Sequence, residues 1–66
     1  MDYYERKRRS QILIKKLIST GLILEDIQFQ VEDTFQMSPN WTKKYYEGIM
    51  LRKNEAEKWK KRLFIN

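Results

Sequence analysis

The sequence predicts an all-α protein: one domain of three helices joined by short turns. Two observations predict this class. Apolar residues recur at steps of three and four along most of the chain, which is the period of one helix face. Gly21 and the pair Ser38-Pro39 divide the chain into three such segments. A chain of 66 residues suffices for a single small domain, which we take to span 1–66.

The first helix is predicted at about 4–20. One side of this segment has apolar residues at helical spacing, with a serine at the edge: Leu13, Ile14, Leu17, Ile18 and Ser10. Gly21 follows, at a point where helices commonly end in a residue that tolerates a positive φ. The first turns are nearly all basic, from Arg6 to Arg9, and we expect them to stay in solvent.

The second helix is predicted at about 24–36, although two periods compete there. Steps of three and four, typical of a helix, join Leu24, Ile27, Val31 and Phe35. Steps of two, typical of a strand, join Ile27, Phe29 and Val31. The length of the segment favours the helix, and Glu25 and Asp26 suit the positive end of its dipole. Phe29 is then expected to lie off the apolar face.

The third helix is predicted at about 39–63. Ser38 is a good N-cap, and Pro39 suits the first helical position, where its missing N–H needs no partner. A stripe at helical steps runs through Trp41, Tyr45 and Ile49 and can be continued through Arg52, Ala56, Trp59 and Leu63. Because no proline interrupts it, one long helix is favoured over two helices separated near Asn54.

Charge is distributed in three blocks. The formal net charge is +5, with +4 on residues 1–20, −4 on 21–40 and +5 on 41–66. Basic ends of this kind either pair with the acidic middle or offer two contacts to a polyanion. No apolar run approaches the roughly 20 residues of a membrane span, and Lys15 and Lys16 interrupt any signal peptide. We therefore expect a cytoplasmic protein that does not enter a membrane.

The chain contains no histidine and no cysteine. Their absence removes disulfides, the common zinc sites, the usual catalytic base and the thiol nucleophile. The pairs Glu25/Asp26 and Glu32/Asp33 share a side of the second helix, and we interpret them as solvated residues rather than a cation site. The sequence therefore predicts neither an enzyme nor a bound metal or cofactor.

Residues 28–47 carry a recognisable pattern. Counted from Gln28, the fourth, eighth, tenth and eighteenth positions are Val31, Phe35, Met37 and Tyr45. These are apolar positions of the helix-turn-helix motif, and the phrase MSPNWTKKYYEGI resembles the turn and recognition helix of small phage and plasmid helix-turn-helix regulators. The resemblance covers about twenty residues and implies a helix-turn-helix-like unit at about 24–50, in which Val31, Phe35, Trp41 and Tyr45 pack at the turn.

Three positions depart from the motif. Glu32 stands where a small residue lets the helices approach, and Gln36 stands where glycine eases the turn. Thr42 replaces an aliphatic residue, with Trp41 one place early. These departures fall at the contact between the two helices and at the turn that joins them.

The resemblance implies which residues meet double-stranded DNA. On the third helix, the side opposite the apolar stripe carries Asn40, Lys43, Lys44 and Glu47. Asparagine pairs with adenine, while lysine pairs with guanine or a phosphate. A basic arm of Arg6, Lys7, Arg8 and Arg9 would reach a phosphate or the minor groove. The alternative for all these residues is an ordinary solvated surface.

Two functions remain open from the sequence. The first is a DNA-binding transcriptional regulator, of the kind mobile elements encode. We expect it to be a homodimer, because Ile49, Trp59 and Leu63 give the third helix more apolar surface than two short helices cover. The second is a protein-interaction module, an inhibitor or adaptor that would use the acidic second helix and Phe29.

Overall fold

Three α-helices form the protein, which confirms the predicted fold class. The computed structural model describes residues 2–64, with side chains described for 2–58. Helix α1 spans Tyr3–Ser19, α2 spans Leu24–Phe35 and α3 spans Pro39–Phe64. Within residues 2–64 there is no β-strand. Each helix packs against the other two, and α3 is continuous past Asn54 as predicted.

Local hydrogen bonds define both ends of α1. The Asp2 side chain accepts a hydrogen bond of 2.8 Å from the backbone N–H of Glu5, and so caps the first turn. At the other end Gly21 has a φ of +84°, the left-handed conformation predicted for it. The N–H of Gly21 donates to the carbonyl of Ile18 at 3.0 Å. Glycine is favoured there because a side chain would be strained.

The turn between α2 and α3 has a similar construction without glycine. Gln36 ends α2 with φ 57° and ψ 32°, and its N–H donates to the Glu32 carbonyl. The Ser38 hydroxyl then accepts from the N–H of Trp41 at 3.1 Å, which confirms Ser38 as the cap of α3. The conformation that usually requires glycine is therefore present, although glutamine occupies the position.

Replacing Gln36 with glycine should stabilise the protein. The left-handed conformation destabilises a non-glycine residue by roughly 1–2 kcal/mol. Glycine removes this strain, but it loses more conformational entropy on folding, and this loss offsets part of the gain. We expect a net gain of about 0.5–1 kcal/mol, seen as a melting temperature several degrees higher by circular dichroism. The control is Gln30→Gly within α2, which should lose about 1 kcal/mol. A lower melting temperature for Gln36→Gly would contradict the turn geometry.

The core lies where the three helices meet. Its buried apolar residues come from α1, from α2 and from the turn after α2: Ile14, Leu17, Ile27, Val31 and Met37. Two buried hydroxyls join them, and each donates to the backbone carbonyl four residues earlier. Ser10 donates to the carbonyl of Arg6 at 2.7 Å, and Thr42 donates to that of Ser38 at 3.2 Å. Neither hydroxyl therefore carries the penalty of an unpaired buried group.

The residues predicted to pack at the turn do so. Val31 is buried, and Phe35, Trp41 and Tyr45 are half-buried against the core. The rings of Trp41 and Tyr45 are stacked, with centroids 5.7 Å apart and planes 7° from parallel. This stack lies along one side of α3 and holds its first turns against the core.

The far part of α3 makes no comparable contact. Residues 51–58 are all exposed, whereas Ile49 is half-buried against the core of its own chain. The side chains of Trp59 and Leu63, on which the predicted dimer contact depends, lie outside the described residues. Among the described helices, none is both long enough and apolar enough to span a bilayer.

Candidate nucleic-acid interface

The residues predicted to face DNA on α3 share one exposed surface. This surface, the outer face of α3, consists of Asn40, Lys43, Lys44 and Glu47, all of them exposed. Their steps of three and four place them on one side of the helix. Trp41 and Tyr45 lie on the other side, towards the core. The structure therefore brings together all four predicted residues of α3.

Helix α2 fixes the orientation of this surface. The Gln28 side-chain amide donates to the carbonyl of Pro39 at 3.0 Å, which ties α2 to the first turn of α3. Thr42, one turn later, is fully buried. The role of Gln28 was not predicted, because a glutamine at a half-buried helix position carries no sequence signal. These contacts hold the first turns of α3 against α2 and the core, and they leave the residues of the outer face exposed.

The electrostatics of the outer face of α3 favour an anion modestly. Lys43 and Lys44 supply two positive charges, and Glu47 supplies one negative charge. The first turn of α3 has no acidic residue, so the positive end of the helix dipole is not neutralised there. Among the described side chains, the ion pair is formed by Arg9 and Glu5, and it does not involve Lys43 or Lys44. Both lysines are thus available to an external ligand.

The predicted basic arm lies in the first turns of α1, as the predicted bounds of the first helix require. Arg8 and Arg9 are exposed, and Arg9 donates to Glu5 one turn away at 2.9 Å. Arg6 and Lys7 are half-buried. The expectation that all four basic residues stay in solvent is therefore wrong for Arg6 and Lys7, because this turn of α1 lies partly against the rest of the molecule.

Arg6 has the least solvent-like surroundings of the four. Its guanidinium lies 5.9 Å from the centroid of the Tyr3 ring, a cation–π distance. Its Nε is sealed from solvent and has no hydrogen-bond partner. Arg6 also lines an open surface depression with Thr34, Phe35 and Gln36 at the end of α2, where a helix dipole favours a cation. Arg6 therefore lies beside the end of α2, in surroundings less open to solvent than those of Arg8 and Arg9.

The acidic residues of α2 lie on its exposed side. Glu25, Asp26, Glu32 and Asp33 are all exposed, and Phe29 between them is 71% exposed. Phe29 is therefore off the apolar face, as predicted. Among residues with described side chains, no three carboxylates are grouped so as to hold a metal ion.

Comparison with known proteins identified no matching family model, no matching curated protein and no matching solved structure. The function must therefore follow from the residues of this chain. The features that bear on it are the outer face of α3 and the charged sides of α1 and α2.

Proposed function

We propose that the protein binds double-stranded DNA through the outer face of α3 and acts as a small helix-turn-helix regulator of transcription. The observation that carries this proposal is the exposure of Asn40, Lys43, Lys44 and Glu47 on one side of a helix held from behind. The major groove, about 12 Å wide, admits an α-helix with base-reading side chains on one side. We further propose that the DNA-binding form is a homodimer.

Each residue of the outer face has a distinct role in this proposal. Asn40 makes paired hydrogen bonds with adenine, and Glu47 accepts from the amino group of cytosine. Lys43 and Lys44 contact guanine edges or phosphates. Arg8 on α1, which is exposed, adds a phosphate contact, whereas Arg6 serves packing.

The turn before α3 supports the helix-turn-helix proposal. Met37 and Thr42 occupy positions where the motif has apolar residues, and both are buried. Gln36 occupies the glycine position and has the left-handed conformation that favours glycine there. Glu32 differs, since it is exposed where the motif has a small residue at the helix contact. Two of the three departures in sequence thus leave the local geometry of the motif intact.

A second candidate function is protein binding through α2, as an inhibitor or adaptor. The observation in its favour is the exposed Phe29, because aromatic side chains are enriched in protein interfaces relative to the rest of the surface. In this case the outer face of α3 would be a solvated surface, and DNA would not bind.

Titration of a fluorescent duplex of random sequence separates the two functions. At about 50 mM salt the protein should bind, and the affinity should fall by about tenfold or more at about 200 mM, because bound phosphates release counterions. Anisotropy measures both affinities. Polyglutamate of similar charge is the control for simple cationic attraction and should compete poorly. If no duplex is bound at the lower salt concentration, the DNA proposal fails.

A further inference from the structure

An exposed apolar residue surrounded by basic side chains lies on the outer side of α1. Ile12 is 59% exposed, on the side away from the buried residues Ile14 and Leu17. The residues three and four positions before and after it are all basic and exposed: Arg8, Arg9, Lys15 and Lys16. In a helix these four positions border the central residue on the same side. We call these five residues the basic face of α1.

Helix α2 has the same arrangement with the opposite charge. Phe29, 71% exposed, lies away from the buried Ile27 and Val31. The residues three and four positions before and after it are all acidic and exposed: Glu25, Asp26, Glu32 and Asp33. We call these five residues the acidic face of α2. The two faces thus agree in spacing and in their apolar centre, and they differ in the sign of every charge.

We propose that the basic face of α1 docks on the acidic face of α2 in a second copy of this chain. Ile12 and Phe29 meet at the centre, and four opposite charges surround each of them. Excluding water around the apolar centre strengthens the charge pairs at its border. A second copy is the partner that fits because it supplies a surface with the same spacing and opposite charge.

The match holds for either direction of the docked helices. The charges are symmetric about each centre, so Arg8 meets an acidic residue whether it lies opposite Glu25 or opposite Asp33. The same is true of the other basic residues. Like charges opposed across such a contact are strongly unfavourable, and neither direction opposes any. The pattern therefore favours this contact without requiring a particular crossing direction.

The two faces do not satisfy each other within one chain. Both lie on the sides of their helices away from the shared core, and the ion pair seen among the described side chains, Arg9 with Glu5, lies within α1. Arg9 is exposed, and its ion pair joins it to Glu5, only one helical turn away. Replacing this exposed pair by one with a carboxylate of another copy therefore costs little. The exposed part of α3 offers no such match, since residues 51–58 mix both charges.

The contact is heterologous, because it joins two different faces. When two copies associate in this way, the basic face of one copy and the acidic face of the other remain unoccupied. Further copies can then add unless a ring closes. The homodimer proposed above would be the first step of this assembly. Its unoccupied basic face would remain available to phosphates.

Charge reversal tests the contact by sedimentation without DNA, so the result does not depend on the proposed function. Two double variants reverse opposite ends of the basic face: Arg8→Glu with Arg9→Glu, and Lys15→Glu with Lys16→Glu. A third, Arg52→Glu with Lys53→Glu, is the control on α3. All three lower the net charge from +5 to +1. We expect the first two to raise the dissociation constant at least about tenfold and the control to leave it nearly unchanged.

Mixing with a reversed acidic face is the decisive step. Glu32→Lys with Asp33→Lys should abolish self-association and is favourable to the dipole at the end of α2. Mixed with either α1 variant, it should restore association, because its intact basic face meets the intact acidic face of that variant. The crossing direction follows from chains that carry both reversals: Glu32→Lys/Asp33→Lys should regain self-association with Arg8→Glu/Arg9→Glu if the helices run antiparallel, and with Lys15→Glu/Lys16→Glu if they run parallel. The proposal is overturned if either mixture fails to associate or if neither combined variant self-associates. It is also overturned if the unmodified protein is monomeric at high micromolar concentration or if the α3 control loses association.

Phe29→Ala provides a test that leaves charge unchanged. It should weaken self-association at least about tenfold, because the apolar centre of the contact is removed. Circular dichroism should show a melting temperature at low protein concentration close to that of the unmodified chain, since Phe29 is exposed in a single copy. Association at full strength in Phe29→Ala would overturn the contact. Association without duplex binding would instead refute only the DNA proposal.

Discussion

Replacing Ile27 with alanine should leave most of the protein unfolded at room temperature. Ile27 is fully buried at the centre of the core, and truncating such a residue costs about 2–5 kcal/mol because a cavity remains. A domain of 66 residues without cysteine has a net stability of only a few kcal/mol. Urea denaturation followed by circular dichroism should show the loss as a strongly reduced or absent cooperative transition.

The matched control is Phe29→Ala, two residues further along α2. It removes a larger apolar side chain, but one that is 71% exposed, so the free energy of unfolding should change by about 0.5 kcal/mol or less. This pair also tests the choice between the two periods in this segment. In a strand, Ile27 and Phe29 would share one face and be equally sensitive, whereas in a helix they lie on opposite sides. Equal losses of stability in the two variants would contradict the helix.

The helix ends were predictable because the chemistry that determines them is local. Ser38 followed by proline carries its own capping signal, and Gly21 follows three residues after Ile18, the last apolar residue of α1. The structure has both features where the sequence predicts them. The core of α2 was predictable as well, since Ile27 and Val31 are one helical turn apart and their side of the helix has no charge.

The surroundings of Arg6 were not predictable, because they depend on contacts between distant parts of the chain. A run of basic residues in the first turns of a helix indicates a solvated surface. The burial of Arg6 arises because the end of α2, nearly thirty residues later, lies beside it. Thr42 is the reverse case. Its hydroxyl is satisfied by the carbonyl of Ser38, the residue that caps its helix, so a polar residue occupies a buried position without loss.

The outer face of α3 followed from periodicity alone, since Trp41 and Tyr45 determine which side is buried and the residues on the opposite side must be exposed. The opposed faces of α1 and α2 did not follow from the charge of whole segments. Summing charges over blocks of twenty residues shows that α1 is basic and α2 is acidic, but it conceals the positions of the charges around Ile12 and Phe29. Their exposure in the folded chain is what reveals the match.

Replacing Lys43 and Lys44 with alanine should weaken duplex binding by about tenfold or more at low salt. Both side chains are exposed and project from the side of α3 that we propose enters the major groove. If each neutralises one phosphate, removing both should flatten the plot of log affinity against log salt by about two units. Anisotropy titrations of one duplex at several salt concentrations give both quantities. Alanine favours a helix, so the melting temperature should not fall.

The control for this variant is Arg52→Ala with Lys53→Ala. It removes the same two charges from exposed positions of the same helix, but from the side away from the outer face of α3, because residues 52 and 53 are rotated well away from it. A loss of affinity that came only from net charge would be equal in the two variants. A loss confined to Lys43 and Lys44 supports their contact with DNA. Equal losses would instead assign the binding to the overall positive charge, and the outer face of α3 would then have no special role.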